Sequence, residues 1–310
     1  MKSVKKTLIT SAFFAVAGAA CLMISLPFGG KAQAAQIMEK HNTTMRLNKL
    51  LSKGISGSGT ILDIDADIDF ESDNMGTVTG TNGTMVIEKG KKIENLDLDI
   101  GAAEFEIKKS KDDNISYEAE ENAEVKVNVS GDTLHFEAKH EESINMDSCK
   151  VILYIPEDLK FDVVDIDLGA SEFKCNVNFK CNKLDVDLGA GKAAFDKVKA
   201  DEADLDVGAG SLKFSSLKTK DAYINVSAGD FEMKGDIEDS LNLNCAMGHA
   251  KMKLDGKESD HNYAFKVGMG TLKIGGRTIS GVGSDKNVEN GSSSKFDIDL
   301  GMGSVDIDFD

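Results

Sequence analysis

The chain has 310 residues, 41% apolar and 29% charged, with 30 Gly, 2 Pro and no Trp, so it can bury a core and global disorder is excluded. Its formal charge is −17, and because the segment 1–34 holds Lys2, Lys5, Lys6 and Lys31 and no acid, the remainder stands at −21. Arg46 and Arg277 are the only guanidinium groups, which excludes the clustered Lys and Arg that a nucleic-acid ligand needs.

Residues 1–34 form a targeting segment, either a cleaved signal peptide or a retained N-terminal membrane anchor. Lys2, Lys5 and Lys6 precede an apolar stretch from Leu8 to Phe28, and Ala32-Gln33-Ala34 supplies small residues at the spacing a signal peptidase reads. The apolar stretch is also long enough to span a bilayer. Either outcome places the body of the protein outside the cytoplasm, with membrane contact only through this segment. Residues 35–59 read as a polar connector.

Residues 60–160 are β-rich but irregular. Ile61–Phe70, Leu96–Ile100, Val125–Val129, Leu134–Ala138 and Val151–Ile155 alternate apolar with polar side chains, the pattern of half-buried strands. Ser130-Gly131-Asp132 reads as a hairpin turn. This part contains one Gly-centred element, Ile100-Gly-Ala-Ala-Glu-Phe-Glu-Ile107, and is either a decorated start to the repeats or a capping sheet.

Residues 161–310 repeat that element seven times, centred on Ala170, Ala190, Ala209, Ala228, Met247, Met269 and Met302. From Ala170 to Met247 the centres are almost evenly spaced. A near-constant step of about 20 residues marks a solenoid of stacked coils. The expected fold is all-β: a single-chain β-solenoid of Gly-centred coils of about 20 residues, each with two or three short strands. Leu184, Val186, Leu188 and Ala190 share one parity and are expected inside, and Met in place of Ala in the last three copies implies a widening core. Parity then changes across Gly-x-Gly, which implies a corner or bulge. Gly101, Gly169, Gly189, Gly191, Gly208, Gly210, Gly229, Gly248, Gly268, Gly270, Gly301 and Gly303 are therefore architectural turn residues. None opens a helix, as a phosphate-binding loop would require. Residues 276–295 interrupt the period and read as an extruded loop.

The outward Asp residues are the sharpest candidate for chemistry. Asp165 and Asp167, Asp185 and Asp187, and Asp204 and Asp206 lie on consecutive coils about 4.8 Å apart. Six such carboxylates make either a solvated acidic face or a weak Ca²⁺ ladder. The next coils break the ladder with Tyr223 and Asn225, then Asn242 and Asn244, and no calcium-solenoid repeat is present. Cys149, Cys175, Cys181 and Cys245 fall at positions that other copies fill with core residues, so four buried thiols are expected, with Cys175–Cys181 the pair to test for a disulfide. His41, His135, His140, His249 and His261 show no metal-ligand spacing. There is no Gly-x-Ser-x-Gly elbow, no Arg beside the Asp ladder and no Trp platform for sugars, so no enzyme and no cofactor is expected.

Val151-Ile-Leu-Tyr-Ile-Pro156, then Asp-Ile-Asp-Leu-Gly-Ala-Ser171 and the Gly-Ala-Gly ladder, resemble the bacterial putative-adhesin domain family over residues 60–309. That resemblance implies a β-strand-repeat domain of unknown function on a secreted or membrane-anchored envelope protein, with no catalytic residues to carry over. The function it implies is a non-enzymatic surface or envelope binding module whose partner is a protein or glycan at the cell surface. The alternative is a structural or stress-related envelope protein whose acidic face binds cations or cationic peptides.

Overall fold

The computed structural model describes residues 78–79, 82–85 and 92–310, apart from 112–113, 121–122, 141–148, 157–158 and 281–282. These all belong to one compact unit, 73–310. The targeting segment, the connector and the strand expected at Ile61–Phe70 lie outside the described residues.

The N-terminal strands are β1 (Val78–Thr79), β2 (Asn82–Met85), β3 (Asn95–Ile100), β4 (Ala103–Lys109), β5 (Ile115–Ala119), β6 (Ala123–Ser130), β7 (Thr133–His140) and β8 (Cys149–Ile155). The middle of the chain supplies β9 (Lys160–Leu168), β10 (Glu172–Leu188), β11 (Lys192–Lys199), β12 (Glu202–Val207), β13 (Ser211–Val226), β14 (Asp230–Cys245) and β15 (His249–Leu254). After a single 3-10 turn at Glu258–Asp260 come β16 (Asn262–Val267), β17 (Thr271–Ile274), β18 (Arg277–Ser280), β19 (Ser284–Val288), β20 (Lys295–Leu300) and β21 (Ser304–Phe309).

The molecule is a parallel β-solenoid. One coil runs from Lys183 along a first face to Leu188, turns at Gly189-Ala190-Gly191, and follows a second face as β11. It then bends at Ala200-Asp201 and re-enters the first face at Glu202. The first-face partners Lys183, Glu202, Asp221 and Ser240 stand one above the next, at a constant step along the chain. A coil thus has two strand segments. In β10, β13 and β14 they are fused through the second bend into strands of 17, 16 and 16 residues. Period-2 alternation on both faces sends Leu184, Val186 and Leu188, then Ala193 and Phe195, into one core. Phe105, Phe173, Phe195, Phe214 and Phe231 pack there as successive neighbours, with ring centroids 4.7–6.4 Å apart. Burying each such side chain contributes roughly 2 kcal/mol.

Two sequence expectations are corrected at the Gly corner. The central residue does not point inward: Ala102, Ala170, Ala190, Ala209 and Ala228 are exposed, and Met269 and Met302 are 59% and 42% exposed. The core does not widen; the inward position after Leu188 is Gly191, because the corner moves the parity by one residue. The ladder glycines also owe their place to close packing rather than to a left-handed backbone, since none of them has positive φ. A Cβ on Gly210, Gly229 or Gly248 would stand 2.2–2.5 Å from the carbonyl oxygen of the matching glycine one coil before. The shifts of register lie on the other side of the coil, at Cys175/Asn178, Phe214/Leu217 and Thr219/Asp221. Gly235, with φ +134°, packs against Leu217 at that bend.

At both ends, coil order in space departs from chain order. The β3–β4 coil lies between the β7–β8 coil and the β9–β10 coil. At the other end the β20–β21 coil lies between β14–β15 and β16–β17. Each outermost coil is then covered by antiparallel strands: β6 on β7 and β5 on β8, β19 on β16 and β18 on β17. The segment expected as an extruded loop at 276–295 therefore carries two edge strands. Residues 95–155, irregular in sequence, supply the strands of two rungs, β3–β4 and β7–β8, plus their cover. Capping of this kind protects parallel edges from pairing with another chain.

Candidate binding face

The strands of the first face place an Asp-x-Asp on each of four adjacent rungs. Asp97 and Asp99 on β3 stand over Asp165 and Asp167 on β9, those over Asp185 and Asp187 on β10, and those over Asp204 and Asp206 on β12. The array is thus eight carboxylates, two more than expected from the sequence. Asp97 and Asp99 escape the repeat period because β5, β6, β7 and β8 separate their coil from the others along the chain; the Asp-Leu-Asp motif itself is the available signal. Further along the face come Tyr223 and Asn225, Asn242 and Asn244, then Asp297 and Asp299.

Polar side chains close both ends of the block. His135 Nδ1 lies 2.7 Å from Asp97 Oδ2 on one side. On the other, Asn225 donates to Asp206 at 2.6 Å and Asn244 donates to Asn225 at 2.9 Å. Within the block Lys183 pairs with Asp185 at 3.2 Å. Rungs about 4.8 Å apart leave each adjacent carboxylate pair repelling by about 1 kcal/mol even in water. The consequence is clearest at Asp187, whose carboxyl is pushed up to about 7, first by loss of water and then by the charges of Asp206, Asp167, Asp185 and Asp165. Its side chain is exposed, so solvent moderates both the loss of water and the neighbouring charges. Asp204 is the most enclosed member, at 5% exposure.

The array is a row, not a cage. Among the described residues no three His, Cys, Asp or Glu side chains converge to hold a metal ion. Side chains on one face of a sheet stand parallel, whereas Ca²⁺ takes six to eight oxygens around one point. Asp165, Asp167, Asp185, Asp187, Asp204 and Asp206, expected as a Ca²⁺ ladder, are brought together as a row on adjacent rungs.

The second face makes the contrast. There the outward residues mix signs across rungs: Glu172 stands between Glu104 and Lys192, Lys213 is beside Glu232, and Lys273 is beside Asp306. Positive charge is concentrated at the second bend, where Lys160, Lys180, Lys199 and Lys218 form a column. The sequence spacing contains that column, but Lys recurs at so many other positions that it does not stand out. Cys149, Cys175, Cys181 and Cys245 are buried thiols. Burial raises the pKa of all four, with Cys181 pushed up to about 12 and Cys245 to about 11. His249 lies at the exposed start of β15, and His261 is buried against Phe296 at a centroid distance of 4.2 Å.

Stacked parallel coils with glycine corners at Gly189–Gly191, Gly208–Gly210 and their counterparts define a β-solenoid. The model of the Toastrack DUF4097 family matches residues 93–275, more than half of the chain, and the protein belongs to that family. No curated protein matches the sequence. Among solved structures it is similar to a putative cell adhesion protein from Clostridium sporogenes, at 17% identity and a TM-score of 0.33 over 75% of this chain and all of that one. It is also similar to a putative adhesin from Bacteroides fragilis, at 12% identity and a TM-score of 0.39 over 76% of this chain and 98% of that one. A third is a putative lipid binding protein from Parabacteroides distasonis, at 16% identity and a TM-score of 0.43 over 76% and 98%.

Proposed function

We propose that this protein is a non-enzymatic binding module of the cell envelope, and that its first face docks a cationic polypeptide. The observation behind this reading is the in-register block of Asp97, Asp99, Asp165, Asp167, Asp185, Asp187, Asp204 and Asp206. Eight acids on four neighbouring rungs repel one another, so the fold maintains the array at a cost in stability. A partner carrying several Lys or Arg side chains relieves that repulsion and releases counterions. The basic, apolar and small-residue order of residues 1–34 supports export.

The test is binding of an oligolysine peptide to the full chain, followed by fluorescence anisotropy at rising salt. The affinity is expected to fall steeply with ionic strength. It should drop at least tenfold when Asp165, Asp185 and Asp204 are changed together to Asn. A control changing Asp306, Asp308 and Asp310 to Asn removes as much charge from the second face and its end. Equal loss in the two variants would reduce the effect to net charge and sink the proposal.

A further inference from the structure

The Gly corner carries a feature that the acidic face does not use. Five coils place Ala at the exposed tip, whereas the three coils at the C-terminal end place Met247, Met302 and Met269 there. Their order in space is set by the insertion of β20 and β21. Met302 N donates to Ala246 O at 2.7 Å, and Met269 N donates to Gly301 O at 2.8 Å, so Met302 lies between the other two. The three thioethers thus rise from adjacent rungs, about 4.8 Å apart. Met269 and Met302 are 59% and 42% exposed, and Met247 is partly exposed. Met at these positions adds nothing to the core, since the Ala tips of the other coils show that the corner forms without it.

The backbone beneath is fixed. Ser304 N donates to Gly248 O at 3.0 Å and Thr271 N to Gly303 O at 3.2 Å. Gly248, Gly303 and Gly270 are packed too closely for any side chain. Flexible side chains on a fixed frame let three sulfurs converge on one point without moving the chain. His249 follows Met247 by two residues, and its Nδ1 lies 2.7 Å from Ser304 Oγ on the Met302 rung. That bond orients the ring across the same rungs, as ligand histidines are commonly oriented through their second nitrogen.

We infer that Met247, Met302 and Met269 form a site for a soft monovalent metal ion, Cu(I), with His249 Nε2 as a further ligand. Thioethers are soft neutral donors that select Cu(I) over the hard cations an acidic surface attracts. A thioether has no proton to lose, so the site keeps its metal in acid, where a thiolate site loses it. The buried thiols, Cys245 included, are separated from this site by that pH dependence.

The experiment is anaerobic titration of the full chain with Cu(I), in competition with a chromogenic Cu(I) chelator, at pH 7 and pH 5. One equivalent resistant to the chelator is expected at both values. Met302→Leu, which keeps the shape and removes the sulfur, should weaken that equivalent by an order of magnitude or more. The triple change of Met247, Met269 and Met302 to Leu should abolish it while leaving the thermal melt unchanged. His249→Ala should weaken binding at pH 7 severalfold, less than the triple Met change. Unchanged binding in the triple variant, or loss of all binding at pH 5 with the fold intact, would overturn the assignment.

Discussion

Gly191 sits so close beneath Ser171 that a Cβ on it would stand 2.0 Å from the Ser171 carbonyl oxygen. That oxygen also accepts a hydrogen bond from Lys192 N at 2.8 Å, so the two coils are joined at the same point where they leave no space. The relationship recurs up the stack at Gly210, Gly229, Gly248, Gly303 and Gly270.

Replacing one of these glycines by Ala forces the coils apart at a hydrogen-bonded corner. Gly229→Ala is expected to cost about 3 kcal/mol, as for severe overpacking. Gly101→Ala, whose nearest neighbour would be Lys139 Cβ at 3.4 Å, should cost under about 1 kcal/mol. Urea denaturation of the two variants beside the parent checks the order. A Gly229→Ala protein as stable as Gly101→Ala would show that the corner relaxes freely.

Much of this is legible in the sequence, and the departures have physical reasons. The period from Ala170 to Met247 fixes coil length, and the alternation of Leu184 with Asp185 fixes the facing; the structure agrees with both. Ala190 is misplaced when parity is carried one step into the corner, where the chain changes direction before the side chain is placed. The position of Gly191 inside explains the pattern better: a missing side chain is itself the inward residue. The insertion of β20 between β14 and β16 has no local signal, because Phe296-Asp-Ile-Asp-Leu300 fits any rung of the first face equally well. The acidic block is legible only in part for the same reason, since pairing of β3 with β9 depends on hairpins whose fold is not encoded in the period.

The raised pKa of Asp187 gives stability a sign with pH. Below about pH 4 the group is protonated in both folded and unfolded chains, given its ordinary value of 3.8 and folded value of about 7. Between those values the unfolded chain releases the proton and the folded chain holds it. Unfolding is therefore favoured more as pH rises, and the stability present in acid is lost by about pH 7. Asp299, raised by burial, acts in the same direction. Buried His261, whose pKa is lowered, acts in the opposite one: it loses stability as pH falls below its ordinary 6.5. The contribution of Asp187 is isolated by comparing the parent with Asp187→Asn in urea at pH 5 and pH 8. The variant should gain relative stability at pH 8, on the order of 1 kcal/mol or less because the carboxylate is exposed. No pH-dependent difference between the two would mean that solvent screens the array completely.

The covering strands at the C-terminal end make a separate prediction about association. β18 holds the edge of β17 through the pairs Leu272 with Ile279 and Lys273 with Thr278, and Arg277 forms an ion pair with Glu258 beside them. Without β18, the backbone donors and acceptors of β17 would face solvent along a flat parallel edge, the arrangement that recruits a strand from another molecule. Changing both Thr278 and Ile279 to Pro removes backbone donors of β18 and leaves the sequence of β17 unchanged, at the cost of the contact that the partly buried Ile279 makes with the core. Most of the fold's stability lies in the stacked coils, so the variant should lose only about 1–2 kcal/mol, the scale of one or two hydrogen bonds. Its sedimentation should shift from a single species to one that grows with protein concentration, while the parent stays unchanged. Adding Lys at Leu272, which leaves the edge open but charged, would also bury a charge, so the cleaner rescue is Thr271→Lys on the outward, partly exposed side of β17. Suppression of association by that change would tie the effect to the β17 edge. A double-Pro variant that sediments like the parent at every concentration would mean that β18 and β19 do something other than protect it.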